Sequence, residues 1–470
     1  MRSHKRRYYQ ITLALALVTI LLLNLPVTVL QSKSLCDNEE DVAGETYDLL
    51  IITPQEFSRY LSPLVKHKND HQIKTIKITT GDIFEQMAEK GKDHAEKIKY
   101  FIKDAVESWG ITYVLFVGGR KGQGPVEQWW VPVRYTHLNR DYDKFPEGKF
   151  LTDLYFADIY DAEGNFSSWD TDDNGIFGEW PKNSSATDIP DLYPDVYVGR
   201  LPCRNSLEVL FAVRKIIRYE TEPCSDSWFK NMVVVAGDTY PNKTAYIDGE
   251  VYTQMGLDKM PGFDAVKIWA SEGNLHWTNI VKAMNSGCGF IWFSGHGGPG
   301  TWATHPPYDE KTWIGDFGLF NMRFLINRNK LPICISGSGC FNNMFNVSLI
   351  NPYYIYGSLS TCWGWALAGK PLGGSIATIA STGFSYESPD INVGVGGCEW
   401  LDMHFFGEYG LNGTDILGET WGNTITSFLQ NFTIDWNDTS ADGYALIAKN
   451  VEQWLLIGDP SLKIGGYGPS

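Results

Sequence analysis

Apolar and polar positions follow two alternating rhythms along most of this chain. Short unbroken apolar runs have the length and β-branched content of buried strands: Tyr47–Thr53 (YDLLIIT), Ile73–Thr80 (IKTIKITT), Tyr113–Gly119 (YVLFVGG) and Val196–Leu201 (VYVGRL). Stretches of helical period lie between them. One begins at Gln55, a second runs His94–Trp109 with Ile98, Phe101, Ile102 and Val106 on one face, and a third covers Leu207–Glu220. A second series starts near Lys230, with strands expected at Met232–Gly237, Ala265–Ala270, Cys288–Gly295, Pro332–Gly337 and Gly374–Ser381, and closing strands at Trp454–Gly458 and Ser461–Ile464. Strand–helix alternation of this kind predicts an α/β fold of two parallel-sheet units, residues 47–225 and 226–470, with helices on both sheet faces. Lys121–Pro194 breaks the rhythm. It is rich in Asp, Gly, Pro, Tyr and Trp and reads as a structured excursion from the first unit.

The first 34 residues differ from the rest. Arg2, Lys5, Arg6 and Arg7 precede Ile11–Leu30, an apolar run without charge. At ~1.5 Å per residue such a helix reaches roughly 30 Å, enough to cross a bilayer. The expectation is a signal or membrane anchor over residues 1–34, then a polar linker over 35–46, with the remainder exported. Its five cations are the segment's only charged groups, so removing it would take the net charge from −16 to −21. Seven N-x-S/T acceptors (Asn165, Asn183, Asn242, Asn346, Asn412, Asn431, Asn437) permit glycosylation outside the cell.

Composition removes several classes. With 43% hydrophobic and 20% charged residues the chain is no disordered polyanion. Its acidity excludes nucleic acid as the expected partner, because phosphate recognition needs a cationic face. Eight cysteines in 470 residues are too sparse for a disulfide scaffold.

Two strands of the second series end in reactive side chains. One runs into Ser294-Gly295-His296-Gly297-Gly298-Pro299-Gly300, the other into Ser336-Gly337-Ser338-Gly339-Cys340. Parallel strands joined by a crossover end on the same sheet edge, where open α/β sheets bind ligands. A thiol attacking a carbonyl needs a neighbouring base, the departing amine needs a proton, and an imidazole supplies both. Glycines let the backbone come close, so the N–H groups of Gly297 and Cys340 can serve a developing oxyanion. A zinc site from His296, His305 and Cys340 lacks close ligand pairs. The glycine run is not followed by the Lys-Ser/Thr of a phosphate loop, and no G-x-S-x-G frames Ser336 or Ser338.

These blocks resemble those of the caspase-fold cysteine peptidases, and their surroundings narrow the resemblance to the gingipain-like family. The similar segments come in family order: PDVYVGRLP (Pro194–Pro202), SGHGGPGTW (Ser294–Trp302), SGSGCFNN (Ser336–Asn343), GGSIATIASTGFSY (Gly373–Tyr386) and LIGDPSL (Leu456–Leu462). The resemblance implies a cysteine endopeptidase acting on proteins or peptides, with Cys340 as nucleophile, His296 as partner and an acyl-enzyme intermediate. It also implies that Asp195, just before the V-x-x-G-R segment, orients His296, and that Trp302 shelters the substrate pocket. Two departures stand out. The approach to the nucleophile is Gly-Ser-Gly, and Arg204 lies where an acidic selector of basic side chains is sought, so basic specificity does not carry over. A transpeptidase of the same fold, or a non-catalytic glycan-binding surface protein, are the alternatives.

Within the excursion, Asp170-Thr171-Asp172-Asp173-Asn174-Gly175 resembles the D-x-D-x-N-G core of calcium loops, whose alternate oxygens converge on one hard cation. Pro181 stands where an EF-hand requires Glu. The expected Ca2+ ligands are therefore Asp170, Asp172, Asn174 and Glu179, completed by Asp153 or Asp158, in a structural role.

Overall fold

The computed structural model describes residues 44–122, 127–138, 147–222, 224, 226–243, 245–337, 342–343, 345, 361–387, 396–440 and 443–467. Its strands are β1 (Leu49–Thr53), β2 (Thr75–Thr79), β3 (Tyr113–Val117), β4 (Arg134–Thr136), β5 (Phe150–Thr152), β6 (Tyr197–Leu201), β7 (Asn231–Ala236) and β8 (Asp264–Trp269). They continue with β9 (Phe290–Ser294), β10 (His296–Gly297), β11 (Thr301–Thr304), β12 (Ile314–Gly318), β13 (Ile333–Gly337), β14 (Ala377–Ser381) and β15 (Trp454–Ile457). Ten of them form one sheet in the order β2-β1-β3-β6-β15-β14-β13-β9-β7-β8. Among the described residues no helix is long and apolar enough to cross a membrane, and the run Ile11–Leu30 lies outside the described residues.

The expected α/β class holds, and the two series appear as the two halves of this sheet. Every neighbouring pair is parallel except β14–β15, where Ser381 faces Trp454 and Thr378 faces Ile457 in antiparallel register. β15 pairs in parallel with β6 through Ile457 and Arg200, so the strand nearest the C-terminal end completes the N-terminal half. The expected strand at Ser461–Ile464 is instead a turn with one isolated bridge, Ile416 to Lys463. Here Asp459 accepts from both the N–H and the hydroxyl of Ser461, and such Asx geometry bends a chain.

Strands covered on both faces read as continuous apolar runs because both sets of side chains are buried. Along β7, Met232 and Val234 join the large core that extends over the N-terminal half, while Val233 and Val235 join a second core. That second core packs Ile280, Val281 and Met284 of the helix Trp277–Ser286 against Ile291, Phe293 and Trp363.

The excursion also packs on this framework. Arg200 of β6 is fully buried and forms a two-pronged ion pair with Asp153, Nε to Oδ2 at 2.7 Å and Nη2 to Oδ1 at 2.8 Å. A forked pair of this kind satisfies both partners and fixes their orientation. Asp153 is thereby committed to holding β6, and the expectation that it completes a calcium site is corrected.

Candidate active site

β9 and β13 are adjacent and parallel, with Ser294 beside Gly337 at their carboxyl ends. His296 and the end of β13 at Gly337 thus share one sheet edge. Cys340 itself lies outside the described residues. Asn342, two positions further, is described and fully buried. Its side-chain N–H groups donate to the carbonyls of Gly298 (2.7 Å) and Thr301 (3.1 Å), and its Oδ1 accepts from Ser336 Oγ (2.6 Å). Asn342 therefore ties β13, through Ser336, to the loop that carries His296. Asn343 holds the other side, donating to the carbonyls of Ala380 (3.1 Å) and Leu455 (2.9 Å) across the antiparallel seam.

The glycines at this edge have steric reasons. A Cβ on Gly297 would lie 2.2 Å from Asn342 Oδ1, and one on Gly337 would lie 1.6 Å from Asp402 Oδ2. The hairpin register pairs Gly297 with Trp302, while the N–H of Gly298 donates to the Thr301 carbonyl at 2.8 Å. That makes Gly297–Trp302 a non-hydrogen-bonded pair, which leaves the Gly297 N–H outside the ladder.

His296 is half-buried, and its Nε2 lies 2.7 Å from the carbonyl of Thr239, just past the end of β7. A carbonyl only accepts, so Nε2 carries the proton and the lone pair of the neutral ring sits on Nδ1. Burial is the main cause of a pKa pushed down to about 4; the Thr239 hydrogen bond works against it and neighbouring His305 adds to it. The ring is a neutral base at pH 7. The Thr239 turn is itself braced. Asp248, at the start of the helix Asp248–Asp258, accepts from the N–H groups of Thr239 (2.6 Å) and Tyr240 (3.1 Å).

Asp195 is not brought to His296. It precedes β6, four strands from β9, and at ~4.8 Å per step this is a separation of roughly 19 Å. Its Oδ2 accepts from the N–H groups of Ile159 (2.7 Å) and Tyr160 (2.9 Å), so it closes a turn ahead of β6. The group that fixes the imidazole is the Thr239 carbonyl, a main-chain atom with no sequence signature.

Trp302 is also relocated. It is fully buried against Phe293, with ring centroids 5.2 Å apart, as part of the second core. The large side chain exposed beside the imidazole is Trp313, 57% accessible and 5.3 Å from the His296 ring.

In the excursion, carboxylate oxygens of Asp170, Asp172 and Asp188 lie within 4.8 Å of one another. Asp188 accepts from the N–H groups of Thr171 (2.5 Å) and Glu179 (2.9 Å), which stitches the two ends of the loop together. Asn174 donates through Nδ2 to Asp172 (3.0 Å) and Glu179 (2.9 Å). Lys92 reaches both Asp170 (2.6 Å) and Asp173 (2.5 Å). Convergent hard oxygens of this kind suit a cation such as Ca2+. Asp158 is not among them: its Oδ2 accepts from Trp169 Nε1 (2.8 Å) and the Leu192 N–H (3.2 Å). Asp188, which the sequence pattern omitted, supplies the third carboxylate.

The framework is thus a mostly parallel α/β sheet that carries His296 just past the carboxyl end of β9, beside β13. The chain belongs to peptidase family C25, whose profile matches residues 43–465. Among curated relatives it is 23% identical over 441 residues to gingipain R2 of Porphyromonas gingivalis strain W83, covering 90% of this chain and 46% of that one. It is 22% identical to gingipain R1 of P. gingivalis over 90% of this chain and 34% of the relative. The chain thus spans less than half the length of these relatives. Among solved structures it resembles the Arg-specific cysteine proteinase gingipain R, with TM-score 0.56, 19% identity, and coverage of 91% of this chain and 79% of that one. The complex of P. gingivalis RgpB pro- and mature domains gives TM-score 0.55 and 19% identity over 89% of this chain and 79% of that one.

Proposed function

We propose that the protein is an exported cysteine endopeptidase in which Cys340 is the nucleophile and His296 the acid–base partner. The observation that carries this reading is the edge shared by β9 and β13, with the His296 lone pair left on Nδ1 by the Thr239 carbonyl. In the proposed cycle Nδ1 takes the thiol proton as sulfur bonds to the scissile carbonyl carbon. The carbonyl oxygen becomes an oxyanion, and the N–H groups of Gly297 and Cys340 are its proposed donors. As the C–N bond breaks, Nδ1 passes its proton to the departing amine. Water then attacks the thioester, giving a carboxylic acid and the free thiol. The thiol and imidazole act as a dyad, with the Thr239 carbonyl as orienting group.

Export rests on the basic cluster and apolar run of residues 1–34. We also propose that Asp170, Asp172 and Asp188, with Asn174 and Glu179 beside them, hold a structural Ca2+ that pins the excursion. The convergence of three carboxylates supports this.

The test is hydrolysis of a mixed peptide library by the wild-type protein and by Cys340→Ala and His296→Ala. Each variant should lose about 10³-fold or more in rate while keeping its melting temperature. Full activity in Cys340→Ala would overturn the reading. Transfer of the acyl group to an added amine in preference to water would recast the enzyme as a transpeptidase.

A further inference from the structure

The loop between β11 and β12 is tightly fastened, yet it shows two large aromatic side chains to solvent. The N–H of Asp238 donates to the His305 carbonyl at 3.0 Å, and Asp238 Oδ2 accepts from the Tyr308 N–H at 2.8 Å. His305, 5% accessible, closes the other side through Nδ1 to the Thr312 carbonyl at 2.7 Å. Asp309 accepts from the N–H groups of Lys311 (3.0 Å) and Thr312 (3.3 Å). From this frame Trp313 (57% accessible) and Tyr308 (55%) project outward. The Trp313 ring packs on His305 at 4.0 Å and meets the His296 ring at 5.3 Å and 70°.

A fixed tryptophan with an open face, touching an acid–base imidazole, has a chemical meaning. An imidazole that hands its proton to a leaving amine must stand on the amine's side of the scissile bond. Whatever abuts that ring on its solvent side then faces the residues following the bond. An indole presents a broad apolar surface at little entropic cost when it is already held, and it prefers aromatic partners in offset or edge contact. We propose that Trp313 forms a binding subsite for an aromatic or large apolar side chain of the substrate just after the scissile bond. The proposal rests on His296 acting as the amine's proton donor.

The test uses peptide libraries with the position before the cleavage site randomised and the first position after it fixed as Gly, Leu, Phe or Trp. The wild-type protein should cleave the Phe and Trp sets with kcat/KM at least about tenfold above the Gly set. Trp313→Ala should reduce that ratio to within about twofold, and Trp313→Phe should restore most of it. A second arm measures anisotropy of labelled Phe- and Gly-containing peptides on Cys340→Ala protein, with and without Trp313→Ala. Tighter binding of the Phe peptide that vanishes with Trp313→Ala supports an aromatic-binding surface at Trp313 even if no peptide is cleaved, an outcome that would sink the peptidase reading and with it only the placement of that surface after a scissile bond. Equal ratios in wild type and Trp313→Ala, or no Phe preference in either arm, overturn the subsite.

Discussion

Two acidic clusters in this molecule deal with crowded carboxylates in different ways. In the excursion, Asp170, Asp172 and Asp188 converge near the surface, accept main-chain N–H groups and are met by Lys92. Burial acts against the Asp170 carboxylate, but Lys92 and the N–H groups of Gly175 and Asn174 hold its pKa below the ordinary value. Behind the site edge, Glu387 lies near Asp248, Glu399 and Asp402, and Asp402 near Glu399. Burial raises the Glu387 pKa well above the usual range, and Asp248, Glu399 and Asp402 add to the shift. Asp402 is raised chiefly by burial, and its hydrogen bond from Trp292 Nε1 (3.2 Å) only partly offsets it. Asp170 keeps its charge beside Lys92, although burial raises the pKa of its neighbour Asp188, whereas Glu387 and Asp402 hold their protons.

The largest expected effect separates the two by metal. Chelation should lower the melting temperature by about 5 °C, with calcium restoring it, as expected for a ligand held well above its dissociation constant. Asp188→Ala should remove that calcium response, whereas Asp402→Asn should leave it intact. A calcium response unchanged in Asp188→Ala would break the comparison.

A smaller effect separates them by pH. Asp402 and Glu387 have folded pKa values raised above their unfolded ones near 4. Their stabilisation is therefore fully present below about pH 4 and is lost as pH rises through the folded values. Asp402→Asn, which carries no proton to lose, should flatten the alkaline decline of stability, by about 1 kcal/mol at pH 9 relative to pH 5. Denaturant midpoints across that range read the effect, and parallel curves for both proteins would refute it.

The smallest belongs to Lys92. Its side chain is 36% accessible, so the pairing with Asp170 and Asp173 is partly screened. Lys92→Met should cost the calcium-free protein about 0.5 kcal/mol and tighten its calcium binding, since a competing cation is gone. Weaker calcium binding, measured by titration calorimetry, would show that Lys92 assists the ion instead.

The sequence was most readable where side-chain chemistry and local period carry the information. YVLFV, FIWFS and ICISG read as strands because they are short and dominated by apolar residues, and β9 and β13 end together as the crossover rule requires. Strand direction at the β14–β15 seam has no such mark, because an apolar run reads the same whichever way its neighbour points. Asp195 was assigned from its order in a motif, but order does not say which strands intervene, and three lie between β6 and β9. Thr239 acts through its carbonyl, which every residue possesses. Trp302 and Trp313 look alike in sequence. Only the hairpin decides that the first points into the core and the second outward. Asp188 was missed because it enters the acidic loop from beyond the D-x-D-x-N-G core.

The place of β15 bears on how the protein is made. Residues 454–457 are translated after every other strand of this sheet, yet they fill its middle, between β6 and β14. Until they emerge, each half carries a raw hydrogen-bonding border lined with apolar side chains, a surface prone to illicit pairing. A chain that emerges from its first residue onward therefore joins its two halves last. The edge bearing His296 thus gains its full support only once the last strand of the sheet has been made.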